Sequence, residues 1–459
     1  MELGFETVGN ATLIVHDKIP ILATDPWLCG PAYFGSWGMS HQIPPEQAAS
    51  IASAPWIWFS HGHPDHLNPD SLPSFRDRRI LLADHVGSRI ASDLRRGGFS
   101  VTVLKDNVWF RLSDRVRVLC LADYNQDSIL LVDVGGRLVV NLNDSTEKGW
   151  GSLIRGIVRA FETSFALRLT GYGDADMINF VDESGVRIRS GPELRKDAGY
   201  DVGAQAARMT DAFGCRYFIP FSSFHRYQRS DSIWANEATT SLADIARGYS
   251  SAHSEILPAF LRYDCNRDVA EEINPATAPS SAYEPEEFGD VWSDELSQQE
   301  RADIARYFTS ISHLHGYLGF VNVRVGMRDL EIPFGGPADR GITFHVPRNS
   351  LLKAVEWEIF DDLLIGNFMR TTLHGDWPES KLARDVTPYV AKYADNGRAR
   401  TGDELDRYFA EYRRRLGHMR YLRHAVERRA KVTVQDRFAR DSPAMSVISR
   451  AYHHVARHT

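Results

Sequence analysis

Residues 56–70 read WIWFSHGHPDHLNPD. An apolar run of strand character ends at Ser60, and the next six positions hold His61, His63, Asp65 and His66. Three imidazoles and a carboxylate crowded into one turn leave polar atoms unsatisfied unless something positive sits among them. The short spacing suits two adjacent metal ions, with His61 and His63 facing one and Asp65 and His66 the other. Asn68 and Pro69 follow as a cap and first residue of a predicted helix over NPDSLPSF.

Working outward, the first 145 residues alternate short runs rich in Val, Ile, Leu and Trp with turns: ATLIVHD, IPILATD, RILLAD, RVRVLCLAD, SILLVDVGG and RLVVNLND. Gly135-Gly136 marks a hairpin. Many strands with helices outside them predict a layered α/β (α+β) sandwich. Residues 150–212 read as more helical, and CRYFIPFSSFH returns to a buried strand. The stretch near 275–300 is rich in Pro, Ser and acid and reads as a surface connection. Leu405, Tyr408, Phe409, Tyr412, Leu416, Met419 and Leu422 recur at helical steps and predict one amphipathic C-terminal helix. The chain is 459 residues long, more than one compact core usually holds, and divides into a metal-binding unit over 1–260 and an extension over 261–459.

A two-metal site needs a bridging carboxylate and ligands from elsewhere. Asp144 ends RLVVNLND and His225 ends the strand near 217–224, both at positions where a side chain can leave a sheet's rim. His85 follows a strand but in a weaker setting, and the HLH at His313 and His315 reads as structural.

Together, SHGHPDH, the preceding TDPWL, the NLND strand end and the late strand-end histidine resemble the metallo-β-lactamase fold, which implies a four-layer αββα sandwich. The order of TDPWLCGPAYFGSWGMSHQIPP, SHGHPDHLNPDSL, IPFSSFH and LLIGNFMR is similar to the metallo-β-lactamase-like part of CMP-N-acetylneuraminate hydroxylases, over roughly residues 10 to 375. Most hydrolases of this fold place a third histidine between the motif turn and the bridging aspartate. Here that segment reads LCLADYNQDSILLVD, so Asp123 is the available ligand, with Asn125, Gln126 and Asp127 as lesser choices. A carboxylate there makes the site harder and suits iron better than zinc. A similar substitution is implied by resemblance to the diiron hydroxylases of this fold in antibiotic biosynthesis, those of the chloramphenicol and platensimycin pathways among them. The expected activity is therefore a diiron monooxygenase of natural-product biosynthesis, with two iron ions and O2 as co-substrate. A dizinc hydrolase of a phosphoester or acyl amide, with two zinc ions, is the alternative, and a metal-dependent nuclease the second.

Composition narrows the partners. The formal net charge of −7 argues against a nucleic-acid surface. No window is long and apolar enough for a membrane helix, and the amino terminus lacks the pattern of a signal peptide. The four cysteines stand singly, which predicts reduced thiols in a cytoplasmic protein and excludes a cysteine-based zinc or iron–sulfur site of usual spacing. The sialic-acid hydroxylases carry a Rieske domain, but this sequence has no CxH…CxxH pair and no GxGxxG turn. The expected electron donor is thus a separate ferredoxin with its reductase. Residues 413–431 hold seven arginines and one lysine against one glutamate, so Arg413, Arg414 and Arg420 are candidates for holding a CoA-, carrier- or nucleotide-linked small molecule. Trp27, Tyr33, Phe34 and Trp37 are candidates to wall an apolar substrate pocket.

Overall fold

Side-chain alternation along the strands assigns the layers. The computed structural model describes residues 1–170, 177–189, 191–197, 199, 201–376, 382 and 386–437. One sheet has eight strands, in the order Val269–Glu272, Leu261–Asp264, Leu3–Val8, Thr12–Asp17, Ile19–Thr24, Trp56–Phe59, Arg79–Ala83 and Ser100–Leu104. The other has seven: Glu255–Ile256, Tyr217–Ser222, Thr163–Leu169, Arg137–Asn143, Ser128–Val134, Val116–Ala122 and Trp109–Arg111. Leu13, Val15, Leu22, Trp58 and Leu81 of the first sheet meet Val118, Cys120, Leu130, Val132 and Val139 of the second in one buried core. Their strand neighbours point the opposite way, as the period of two requires. Ile14, Ile57, Phe59 and Leu82 pack with Ile51, Ala91 and Leu94 of two helices on the first sheet. Leu119, Leu131 and Val140 pack with Ile154, Ala206 and Phe213 of helices on the second. The result is the expected four-layer αββα sandwich.

Strand direction then places the site. Ile19–Thr24, Trp56–Phe59, Arg79–Ala83 and Ser100–Leu104 run parallel. So do Arg137–Asn143, Thr163–Leu169 and Tyr217–Ser222 in the other sheet. Parallel sheets gather ligand-binding loops at the carboxyl ends of their strands. The turn at 60–66, Asp144 and the segment leading to His225 all leave such ends.

A further sheet of Arg328–Pro333, Phe320–Val325, Gly341–His345 and Arg370–His374 packs with helices Gln298–Thr309, Arg348–Glu356 and Asp361–Ile365. Three local expectations differ from the structure. NPDSLPSF forms only a short 3-10 turn at Leu72–Phe75, because Asn68 Oδ1 accepts from the backbone N–H groups of Asp70 and Ser71 and closes a tight turn. Within the stretch read as helical lies the buried parallel strand Thr163–Leu169. The C-terminal helix is two helices, Gly402–Leu416 and His418–Arg437, separated at Gly417. Tyr408, Tyr412 and Leu416 are buried, whereas Met419 and Leu422 are exposed. Among the described residues no helix is long and apolar enough to cross a membrane.

Candidate metal centre

The turn after Trp56–Phe59 is folded on its own backbone: the N–H groups of His66 and Leu67 both donate to the carbonyl of His63, at 3.0 and 2.8 Å. Ser60 anchors its start. Its N–H donates to Asp25 Oδ1 at 2.8 Å, and its hydroxyl lies 2.9 Å from His61 Nδ1. That occupies the outer nitrogen of His61 and leaves Nε2 facing inward.

His61 Nε2 stands 2.9 Å from His63 Nδ1 and 4.0 Å from Asp144 Oδ2, and the three residues offer ligand atoms close enough to share one ion. On the other side, His66 Nε2 lies 3.2 Å from Asp65 Oδ2 and 3.4 Å from the same Asp144 Oδ2. Asp144 thus sits between the two halves of the turn, where a bridging carboxylate belongs. His225 is buried and feels the charge of Asp65 and Asp144, though among the described residues it, Asp65 and His66 fall outside the groups whose ligand atoms lie close enough to share one ion.

Whether these side chains suit a metal is tested by what they lack. His66 Nε2 and both ring nitrogens of His225 are buried without a hydrogen-bond partner among the described residues. The oxygens beside His66 Nε2 are near but lack the alignment of a hydrogen bond. Each such orphan costs about 1–3 kcal/mol, and an ion that took His66 Nε2 and one nitrogen of His225 would remove the cost at those two atoms. The donor set of imidazoles and carboxylates fits a transition metal. Burial opposes charge on His66, but Asp65 and Asp144 outweigh it and hold its pKa well above the ordinary value. Burial outweighs Asp65 and Asp144 and pushes His225 down to about 3, so its imidazole is neutral and keeps a lone pair to offer.

Outer partners orient these groups. Asp25 Oδ2 lies 3.3 Å from His66 Nδ1 and also accepts from the Asn143 side chain. Asp65 accepts from Asn10 Nδ2 at 3.0 Å and from the Tyr33 hydroxyl at 2.6 Å. Asp25, Tyr33 and Asn143 all have positive φ, a costly backbone state that recurs where side chains are held at functional sites. Trp37 stacks on His225, and Asp361 with Lys392 approaches His63 from the C-terminal unit. Asp25, Asn10, Asp361 and Lys392 escaped the sequence reading. Asn10 adjoins the run ATLIVHD, Asp25 lies within TDPWL and Asp361 comes just before LLIGNFMR, whereas Lys392 adjoins no segment it singled out.

The other candidates are placed differently. Tyr33 and Trp37 stand at the centre as described, and Trp27 is core beside them, its indole N–H donating to the Gly30 carbonyl. Asp123 is buried at the turn between Val116–Ala122 and Ser128–Val134. Its Oδ1 accepts from the N–H groups of Asn125 and Asp127, and its Oδ2 from Ser145 Oγ. Among the described residues it joins neither group able to hold an ion. Burial and the neighbouring Asp127 push its pKa up to about 7. His85 is buried on Tyr412 and lines a small cavity with Ser60, His61, Arg89 and Gln126. Arg413 and Arg414 are exposed on the first C-terminal helix, where Arg414 forks onto Glu411 and Arg413 lies over Tyr421. Arg420 is half-exposed on the second, and the side chains of Arg428 and Lys431 lie outside the described residues.

No protein-family model matches the chain. It is 29% identical over 337 residues to the cytidine monophosphate-N-acetylneuraminic acid hydroxylase of Danio rerio, covering 67% of this chain and 54% of that protein. With the Mus musculus hydroxylase the identity is 22% over 372 residues, covering 75% and 62%. The chain therefore spans little more than half the length of these curated relatives. Among solved structures, a metallo-hydrolase from Ignicoccus hospitalis overlaps 59% of this chain and 99% of its own, with TM-score 0.37 and 13% identity. The diiron β-hydroxylase CmlA of Streptomyces venezuelae overlaps 48% and 44%, with TM-score 0.33 and 18% identity. The facing sheets, outer helices and histidine–aspartate turn at the carboxyl edge make the fold that of the metallo-β-lactamases.

Proposed function

We propose, from a metallo-β-lactamase fold whose curated relatives are CMP-N-acetylneuraminic acid hydroxylases, that this chain is a non-haem diiron monooxygenase that hydroxylates a small organic molecule. The observation that carries the reading is the pair of carboxylates set among the imidazoles, Asp65 and Asp144. Hard anionic oxygen donors mixed with imidazole favour iron.

Bound between His61, His63 and Asp144 on one side and Asp65, His66, Asp144 and His225 on the other, two iron ions would supply the reduction of O2. The chain's own residues do the rest. Ser60 and Asp25 fix the outward nitrogens of His61 and His66, so that Nε2 of each faces the centre. Trp37 and Tyr33, both buried, exclude water from the side of His225 and Asp65. The Tyr33 hydroxyl holds its proton on Asp65 Oδ1, since burial and that carboxylate keep the phenol's pKa well above its usual value. Hydroxylation places one atom of O2 in a C–H bond and releases the other as water, which takes two electrons and two protons from outside. The electron donor we assign is a ferredoxin with its reductase, and the substrate a CoA-, carrier- or nucleotide-linked intermediate.

A dizinc hydrolase of a phosphoester or acyl amide is the second reading, favoured by the engagement of both Asp123 oxygens, Oδ1 with its own turn and Oδ2 with Ser145. Oxygen uptake by the iron-loaded chain separates them. The oxygenase reading predicts uptake that needs an added ferredoxin system and rises with substrate. Hydrolysis of phosphoester or amide probes by the zinc-loaded chain, without oxygen uptake by the iron form, selects the hydrolase.

A further inference from the structure

His63 has two ring nitrogens with different neighbours. Nδ1 faces His61 Nε2 at 2.9 Å, within the group that includes Asp144. Nε2 faces Asp361 Oδ2, also at 2.9 Å, across 298 positions of sequence. A neutral imidazole offers one lone pair and one N–H. If the lone pair at Nδ1 serves the ion shared with His61, the proton sits on Nε2 and is donated to Asp361. Lys392 Nζ lies 3.2 Å from His63 Nε2 and 3.5 Å from Asp361 Oδ2. With Nε2 protonated, two donors meet there, so the ammonium's partner becomes the carboxylate. Asp361 and Lys392 are both at least nine-tenths buried, and neither contact is a solvent-exposed accident.

The same plan is present at His66, whose Nδ1 lies by Asp25 while Nε2 faces Asp65 and Asp144. Outer carboxylates of this kind set the tautomer and orientation of a ligating histidine. We infer that Asp361, held by Lys392, is the positioning residue that fixes His63 on the first metal through Nδ1, so that the C-terminal unit completes the centre built by the sandwich. This rests on the metal reading above. Asp361 also takes part in a second group able to hold an ion, with His63 and Asp362. That group would use the other nitrogen, and one imidazole cannot give both lone pairs without losing its proton.

The test uses the full chain loaded with zinc for crystallography and with cobalt for spectroscopy. In the zinc-loaded crystal structure, His63 should ligate through Nδ1 with Nε2 bonded to Asp361. Ligation through Nε2, or Asp361 itself on the metal, overturns the inference. With cobalt, Asp361→Ala should weaken the first site by about 10–100-fold and change its visible bands, leaving the second ion in place. Asp361→Asn keeps an acceptor without the charge and should fall between. Unchanged affinity and spectrum in Asp361→Ala would also overturn the inference. Should a variant fail to fold, the wild-type crystal structure still decides. A wild-type chain that takes up no ion would instead refute the metal reading beneath it.

Discussion

Trp37 lies flat on His225, with ring centroids 3.3 Å apart and planes 5° from parallel. The short strand His225–Tyr227 pairs with Trp37–Met39, which brings together two residues far apart in sequence. The indole covers one face of an imidazole whose nitrogens have no hydrogen-bond partner among the described residues. Trp37→Ala should lower stability by about 3–5 kcal/mol, the usual cost of emptying a buried tryptophan site. It should also release the ion nearest His225, by freeing that ring. Trp37→Phe should retain the ion. Thermal melting and metal content, measured on the same samples, check both statements.

Asp123 uses Oδ1 within its own turn and Oδ2 on the Ser145 hydroxyl beside Asp144. Asp123→Ala should therefore destabilise the chain by about 1–3 kcal/mol, the cost of stranding buried donors, and leave the metal count unchanged. Loss of one ion with stability intact would make Asp123 a ligand, as its place in the sequence suggests.

Glu6 contributes to acid stability away from the centre. Burial raises its pKa, but hydrogen bonds from His16, Arg262 and Gln47 outweigh burial and lower it from 4.5 to about 2. A carboxylate depressed in the folded state contributes stability above its unfolded pKa and loses it as pH falls through the folded one. The contribution, on the order of 3 kcal/mol, is complete above pH 4.5 and disappears towards pH 2. Glu6→Gln should flatten this part of the stability–pH curve, which denaturant melts at stepped pH will show.

Gly417 separates the two C-terminal helices with φ 78° and ψ 152°, a region essentially closed to other residues. Nothing lies within 4 Å of an added Cβ, so the cost of Gly417→Ala is backbone strain alone. A loss of about 1–3 kcal/mol is expected on thermal unfolding. No loss would mean that the helices join more freely than this geometry allows.

Local signals carried the fold a long way. The turn at 61–66, the strand ends at Asp144 and near His225, and the hairpin at Gly135-Gly136 are short-range patterns, and their elements form as read. Thr163–Leu169 escaped because a strand buried on both faces lacks the alternation that separates strand from helix. The break at Gly417 escaped because apolar spacing continues across it. Asp361 and Lys392 approach His63 from 298 and 329 positions away, and no local pattern announces a contact made only by tertiary packing. Leu261–Asp264 and Val269–Glu272 extend the first sheet, so we propose that the sandwich runs on to Glu272 before the C-terminal unit begins.

The most direct measurement is elemental analysis of the full chain produced in iron-rich medium, with activity followed before and after chelation. Ligands arranged on both sides of Asp144 predict about two iron ions per chain, and activity lost on chelation and restored by iron. Less than one metal per chain, with activity intact after chelation, would contradict a dinuclear centre at this turn.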